Sequence, residues 1–161
     1  MEAPHAAPYP RRMIGWRPDP GHSLIELLFV LCVVAVLLGL AAPALGTARD
    51  RYAVRAARDA LAAGIARGRA FAVVHGGAVV VVDPAAGRLW IERRGGEVLG
   101  APVELARRFG VTLSADGAEG PARIRFDGMG IGRLANRTLR IRRGRAEAGI
   151  TISAYGRVRT W

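Results

Sequence analysis

From Leu27 to Ala48 the chain runs for 22 residues without a charged side chain, as LLFVLCVVAVLLGLAAPALGTA. As a helix rising 1.5 Å per residue it would extend roughly 33 Å, enough to cross the ~30 Å hydrocarbon layer of a bilayer. A membrane-spanning helix is therefore the first expectation. The rival is a secretory signal, whose apolar region is usually about 7–15 residues long and ends in small residues. The small-residue text from Leu40 to Ala44 keeps cleavage there open. The preceding segment is proline-rich and carries Arg11, Arg12 and Arg17. Positive charge before an apolar run holds that end in the cytoplasm. Glu26 stands at the mouth of the run. An acid costs about 2.5–3.5 kcal/mol at the bilayer centre and less near the interface. Glu26 thus either rests at headgroup level or meets a cationic partner.

The remaining composition narrows the chemistry. A length of 161 residues suits one domain with accessories, and 51% hydrophobic residues is too apolar for disorder. The net charge is +11, and all 24 basic residues are arginine. Arginine without lysine, beside much alanine and glycine, is what a GC-rich coding sequence yields. The charge by itself is therefore weak evidence for a polyanionic partner. A single cysteine, Cys32, lies inside the apolar run and reads as a small packing residue. It forbids an internal disulfide framework. Histidines at 5, 22 and 75 form no ligand cluster, so neither a metal nor a cofactor is expected. Gly128-Met129-Gly130-Ile131-Gly132 misses the dinucleotide-binding spacing because position 133 is Arg, and it reads as a flexible loop between strands. The carboxylates are scattered, and Ser23, Ser114 and Ser153 lie in no nucleophile-elbow context. No catalytic residue is identified and an enzyme is not expected.

Beyond Pro43, expected to kink or melt the helix locally, the pattern turns amphipathic. Val54, Ala57, Leu61, Ile65, Gly68 and Ala72 recur at helical spacing, while Arg51, Arg55, Arg58, Asp59, Arg67 and Arg69 mostly take other faces. Ala62, Ala63, Gly64 and Gly68 are small enough to let a sheet approach. The pattern predicts one helix from about Leu24 to about Val74, ended at His75-Gly76-Gly77 by a left-handed glycine cap. His75 reads as a helix-end residue. Residues 78–82 (AVVVV) and 88–93 (RLWIER) read as a hairpin across the turn at 83–87. Residues 103–113 are expected to hold a strand or two, broken near Arg107 and Gly110. Alternating runs at 123–126, 138–142, 150–153 and 157–159 add further strands, each with one apolar and one wet face. The fold class is α+β: a long N-terminal helix, membrane-spanning in its first half, packed on a small antiparallel sheet.

Specific text supports this reading. GHSLIELLFVL at 21–31 resembles the leader junction of type IV pilins and pseudopilins, usually a glycine, an aromatic residue and then T-L-I-E-L. His22 and Ser23 stand where phenylalanine and threonine are usual. The stretch at 60–82 (ALAAGIARGRAFAVVHGGAVVVV), with IRFDGMGIG and ITISAYGRVR, resembles the GspH/FimT family. That resemblance implies a pilin-like fold and a structural subunit without catalysis. It implies a leader at 1–21 removed between Gly21 and His22 by prepilin peptidase, with His22 then N-methylated. It also implies an assembly half of the helix at 22–48 and a periplasmic head at 49–161. A start at Met13 would give the leader a more ordinary length.

Glu26 would become the fifth mature residue, whose carboxylate in this family pairs with the N-terminal amine of a neighbouring subunit. The implied partners are other pilins or pseudopilins through the N-terminal helix, prepilin peptidase, inner-membrane lipid, and exported proteins or DNA. The implied location is the bacterial inner membrane with a periplasmic head, then a pseudopilus or pilus. The leading expectation is a minor pseudopilin of type II secretion. The alternative is a minor pilin that takes up DNA, because a terminal G-R-x-R element is implicated in DNA binding in the fimbrial branch, and Gly156, Arg157 and Arg159 match it. Strand alternation puts Arg123 with Arg125, and Arg140 with Arg142, on common faces. If those strands were neighbours they would form a basic stripe. Tyr155 and Trp161 are possible base-stacking groups. A plain solvated face is the simpler reading of all these arginines.

Overall fold

The computed structural model describes residue 21 and residues 23–117, 120–133 and 136–161, and divides the chain into two units, Met1–Gly39 and Leu40–Trp161. Helix α1 spans Leu24–His75. The expected melting at Pro43 is not observed: the helix runs unbroken across that position. A proline withholds one N–H, and in a 52-residue helix the bonds on either side carry the backbone past it.

Within the first unit, every large apolar side chain of α1 is exposed, from Leu24 at 80% to Leu38 at 66%. This stretch is long and apolar enough to cross a membrane.

In the second unit α1 becomes one-sided. Val54, Ala57, Leu61, Ile65, Gly68 and Ala72 are all buried, as the spacing predicts, and Ala53 and Gly64 join them. Two antiparallel sheets receive this face, where a single sheet was expected. One contains β1 (Gly77–Asp83), β2 (Arg88–Arg93), β3 (Val103–Glu104), β5 (Ala122–Asp127) and β6 (Gly132–Arg133), in the order β3-β2-β1-β5-β6. The other contains β4 (Thr112–Ala115), β7 (Arg137–Arg143), β8 (Ala146–Ile152) and β9 (Val158–Thr160), in the order β4-β7-β8-β9. Val80, Val82, Ile91 and Ile124 from the first sheet share one core with Leu139, Ile141, Ile150 and Ile152 from the second.

The helix ends as expected. Gly76 takes a left-handed φ of 73°, and His75 stacks on Phe71 at 5.7 Å. Residues 103–113 differ from the expectation of strands alone. Between β3 and β4 lies a short helix α2 (Leu105–Phe109), closed by Gly110 at φ 64° with its N–H donating to the Ala106 carbonyl. Leu105 is wholly buried and anchors this turn in the core. Leu, Ala and Arg favour helix, and that local preference prevails over the β-branched residues at either end.

Two of the small residues set the distance between helix and sheet. A Cβ on Gly68 would fall 2.0 Å from Val80 Cγ2, and one on Gly64 would fall 2.8 Å from Leu89 Cδ2. Ala63, expected on the same face, is exposed. Gly68→Ala should gain about 1 kcal/mol of helix propensity yet lose more to overpacking. Thermal unfolding of the purified chain should show a net destabilisation of about 1–2 kcal/mol.

Candidate functional site

Two regions carry the residues singled out from sequence. At the start of α1, Gly21 is exposed, whereas His22 and the leader residues 1–20 lie outside the described residues. Ser23 caps the helix. Its Oγ accepts the Glu26 N–H at 3.3 Å, and its carbonyl accepts the same N–H at 3.0 Å and that of Leu27 at 3.2 Å. Ser23 and Glu26 thus stand at capping-box spacing, a local signal present in the sequence beside the leader motif. A carboxylate in the first turn is also favoured by the helix dipole. Glu26 therefore has a structural reason to stand three residues after Ser23, in addition to any role in assembly.

The second region is the C-terminal element. Ser153 and Arg157 close a turn: Ser153 N–H donates to the Arg157 carbonyl at 2.9 Å, and Ser153 Oγ accepts the Arg157 N–H at 3.1 Å. Gly156 is buried within it at φ 78°. A Cβ there would meet Phe126 Cε1 at 2.8 Å and Gly132 N at 3.1 Å. The glycine of the G-R-x-R match thus has a packing function. Arg69 of α1 donates through Nη2 to the Gly156 carbonyl, and its guanidinium lies over the Phe126 ring at 5.4 Å from the centroid. Sequence periodicity places Arg69 on a solvent face. Its long reach lets it cross to the C-terminal turn, and no short-range pattern signals that contact.

Arg157 and Arg159 are exposed, and neither is in an ion pair among the described residues. Tyr155 is 79% exposed, so it is not packed against the sheet edge. Trp161 is partly committed: its indole covers Gly149, and Nε1 donates to Thr151 Oγ1 at 3.4 Å.

Arg140 and Arg142 are differently placed. Arg140 pairs with Asp116 at 3.2 Å and Glu147 at 3.6 Å, and Arg142 pairs with Glu147 at 2.8 Å. The hydrogen bond and charge of Asp116, with Glu147 beside it, hold the Arg140 guanidinium still more firmly protonated. The conditional basic stripe does not form. Arg123 and Arg125 lie on β5 and Arg140 and Arg142 on β7, in different sheets. Alternation within each strand holds, but strand order is decided by tertiary pairing.

The glycine-rich loop at 128–132, expected to be flexible, is a pinned turn. Asp127 Oδ1 accepts the Met129 N–H at 3.0 Å and the Ile131 N–H at 2.9 Å. Backbone bonds from Gly130 N–H to the Asp127 carbonyl and from Asp127 N–H to the Ile131 carbonyl close it further. The Ile131 N–H above all, then the Met129 N–H and Arg133, hold the Asp127 carboxyl below its ordinary value of 3.8 against an opposing desolvation.

A long N-terminal helix whose second half packs on antiparallel sheets is the type IV pilin-like fold. The particular likeness is to the crystal structure of the type IV minor pilin FimU of Pseudomonas aeruginosa strain PAO1. The TM-score is 0.51 at 19% identity, over 66% of this chain and 91% of that one. No family model and no curated protein matches the sequence.

Two outcomes follow. Gly156→Ala should destabilise the chain by about 1–3 kcal/mol in thermal unfolding, through positive φ and the close approach to Phe126. A carboxyl depressed on folding contributes stability above its unfolded pKa, and that contribution fades as pH falls through the folded value. Asp127→Asn should therefore lower stability at neutral pH while changing it little once the pH is below the folded pKa, so that the acid side of the stability–pH curve flattens below about pH 4. An unchanged acid limb in denaturant titrations would reject this account of the turn.

Proposed function

We propose that the chain is a structural subunit of a pilus-like filament, and more narrowly a minor pseudopilin of the GspH/FimT type serving type II protein secretion. The observation that carries this reading is Glu26 in the first turn of a solvent-exposed apolar helix, directly after the G-H-S-L-I-E junction. Prepilin peptidase would cleave between Gly21 and His22, leaving His22 as a methylated N-terminus. Residues 22–48 would then hold the subunit in the inner membrane and later stack it in the filament, with residues 49–161 as the periplasmic head. Each buried charge is costly alone, so the Glu26 carboxylate and a neighbour's terminal amine favour only stacking in which the two meet. The pilin-like fold supports this reading, because it supplies such a rod with a head whose core is independent of the apolar half.

A second reading, a minor pilin that binds DNA, is favoured by one observation: Arg157 on a buttressed turn and Arg159 on the adjoining β9 are exposed without carboxylate partners among the described residues. Arg140 and Arg142 serve it less well, since nearby acids already compensate them.

Glu26→Ala should leave membrane insertion intact while filament incorporation falls about tenfold or more, measured by shearing and fractionation of cells. Mass spectrometry of the mature chain should find His22 at the N-terminus with one added methyl group. Normal incorporation of the variant, or a chain beginning near residue 45, would overturn the proposal.

A further inference from the structure

An open groove of about 620 Å³ lies across the outer face of the β1-containing sheet, and five arginines line it: Arg93, Arg94, Arg123, Arg125 and Arg133. One carboxylate, Asp127, shares the lining. The register explains the clustering of Arg123, Arg125 and Arg133, while Arg93 ends β2 and Arg94 follows it. Val79 of β1 is flanked by Arg125 on β5 and Glu92 on β2, Val81 is flanked by Arg123, and Arg125 lies opposite Arg133 on β6. Arg123 and Arg125, two residues apart on one strand face, are spaced by roughly 6.8 Å.

Part of this charge is internally compensated. Arg123 pairs with Glu92, which also accepts the Trp90 indole N–H at 2.7 Å. Arg93 pairs with Glu97 at 3.1 Å, and Arg133 lies 3.7 Å from Asp127. Arg94 and Arg125 are exposed and enter no ion pair among the described residues. They are the lining arginines whose charge no carboxylate offsets among the described residues, so they supply the groove's net positive charge and its two available guanidinium forks.

The geometry points to this groove as a binding site for the phosphate backbone of nucleic acid, separate from the C-terminal turn and independent of the filament reading. Guanidinium forks suit phosphate and carboxylate alike. Phosphate is favoured by the even charge density of a phosphodiester chain, whose condensed counterions are released on binding. The aromatic residue of the lining, Phe126, is buried in the core and offers no free ring face to a base. The groove would therefore read charge and not sequence.

The test uses the full chain in nonionic detergent, titrated against a labelled random-sequence duplex from 50 to 300 mM salt. Arg94→Ala with Arg125→Ala should weaken binding about tenfold at the low-salt end. It should also lower the log–log salt slope by about 1.8, at roughly 0.9 for each phosphate no longer neutralised. Lysine at both positions should restore most of the slope. Two arginines elsewhere on the head, Arg107 and Arg145, replaced together by Ala, control for the general loss of charge. Arg157→Ala with Arg159→Ala reports on the C-terminal reading separately. An unchanged slope in the groove variant, an equal loss in the control, absence of wild-type binding, or equal displacement of the duplex by poly-glutamate of matched charge would each overturn the proposal.

Discussion

Everything in the head depends on how closely the second half of α1 lies against β1. Gly64 and Gly68 remove the side chains that would hold helix and sheet apart, and Val80 and Leu89 fill the space. Interiors are packed to near-crystalline density, so this contact tolerates little change in volume. Once the helix lies this close, its polar residues come within reach of the second sheet and of the turn before β9. Arg69 can meet the C-terminal turn, and Asp50 can meet Arg143 at 2.9 Å. These contacts tie β7 and the C-terminal turn to one helix.

The second organising constraint is charge. Arginines outnumber acids in this chain, so the few carboxylates decide which cations are available to a partner. Glu147 lies between Arg140 and Arg142, Asp116 takes the other side of Arg140, and Glu92 takes Arg123. Exposed pairs of this kind contribute little stability. Their larger effect is to lower the local field at one patch while leaving it high at another. Arg94 and Arg125 in the groove over Val79, and Arg157 and Arg159 near the C-terminal turn, are among the arginines left uncompensated in the described residues, whereas Arg140 and Arg142, on the face where strand alternation suggests a stripe, are offset by acids.

Much of the architecture is legible in residue order. The helix limits follow from an apolar run passing into a six-position buried stripe and ending at Gly76, all of it short-range periodicity. The hairpin of β1 and β2 follows from β-branched text on either side of a turn. Residues 105–109 resist such reading because five residues are too few to establish a period, and their buried anchor, Leu105, suits a strand equally well. The loop at 128–132 reads as flexible because its glycine content is visible in the sequence and the two bonds to Asp127 Oδ1 are not. The second sheet is hidden because alternation identifies strands and says nothing of which sheet they join.

By itself the sequence determined an exposed apolar rod with an acid near its start, a one-sided continuation of that rod, and a set of strands with known faces. Those features follow from side chains three, four or two positions apart, and such spacings are set by local backbone geometry. Only the tertiary structure decided that β5 and β7 lie in separate sheets, that Gly156 is a packing residue held by Arg69, and which arginines keep an unpaired charge. Each of those depends on groups far apart in the chain, where no periodicity operates and the outcome is set by how the core fills.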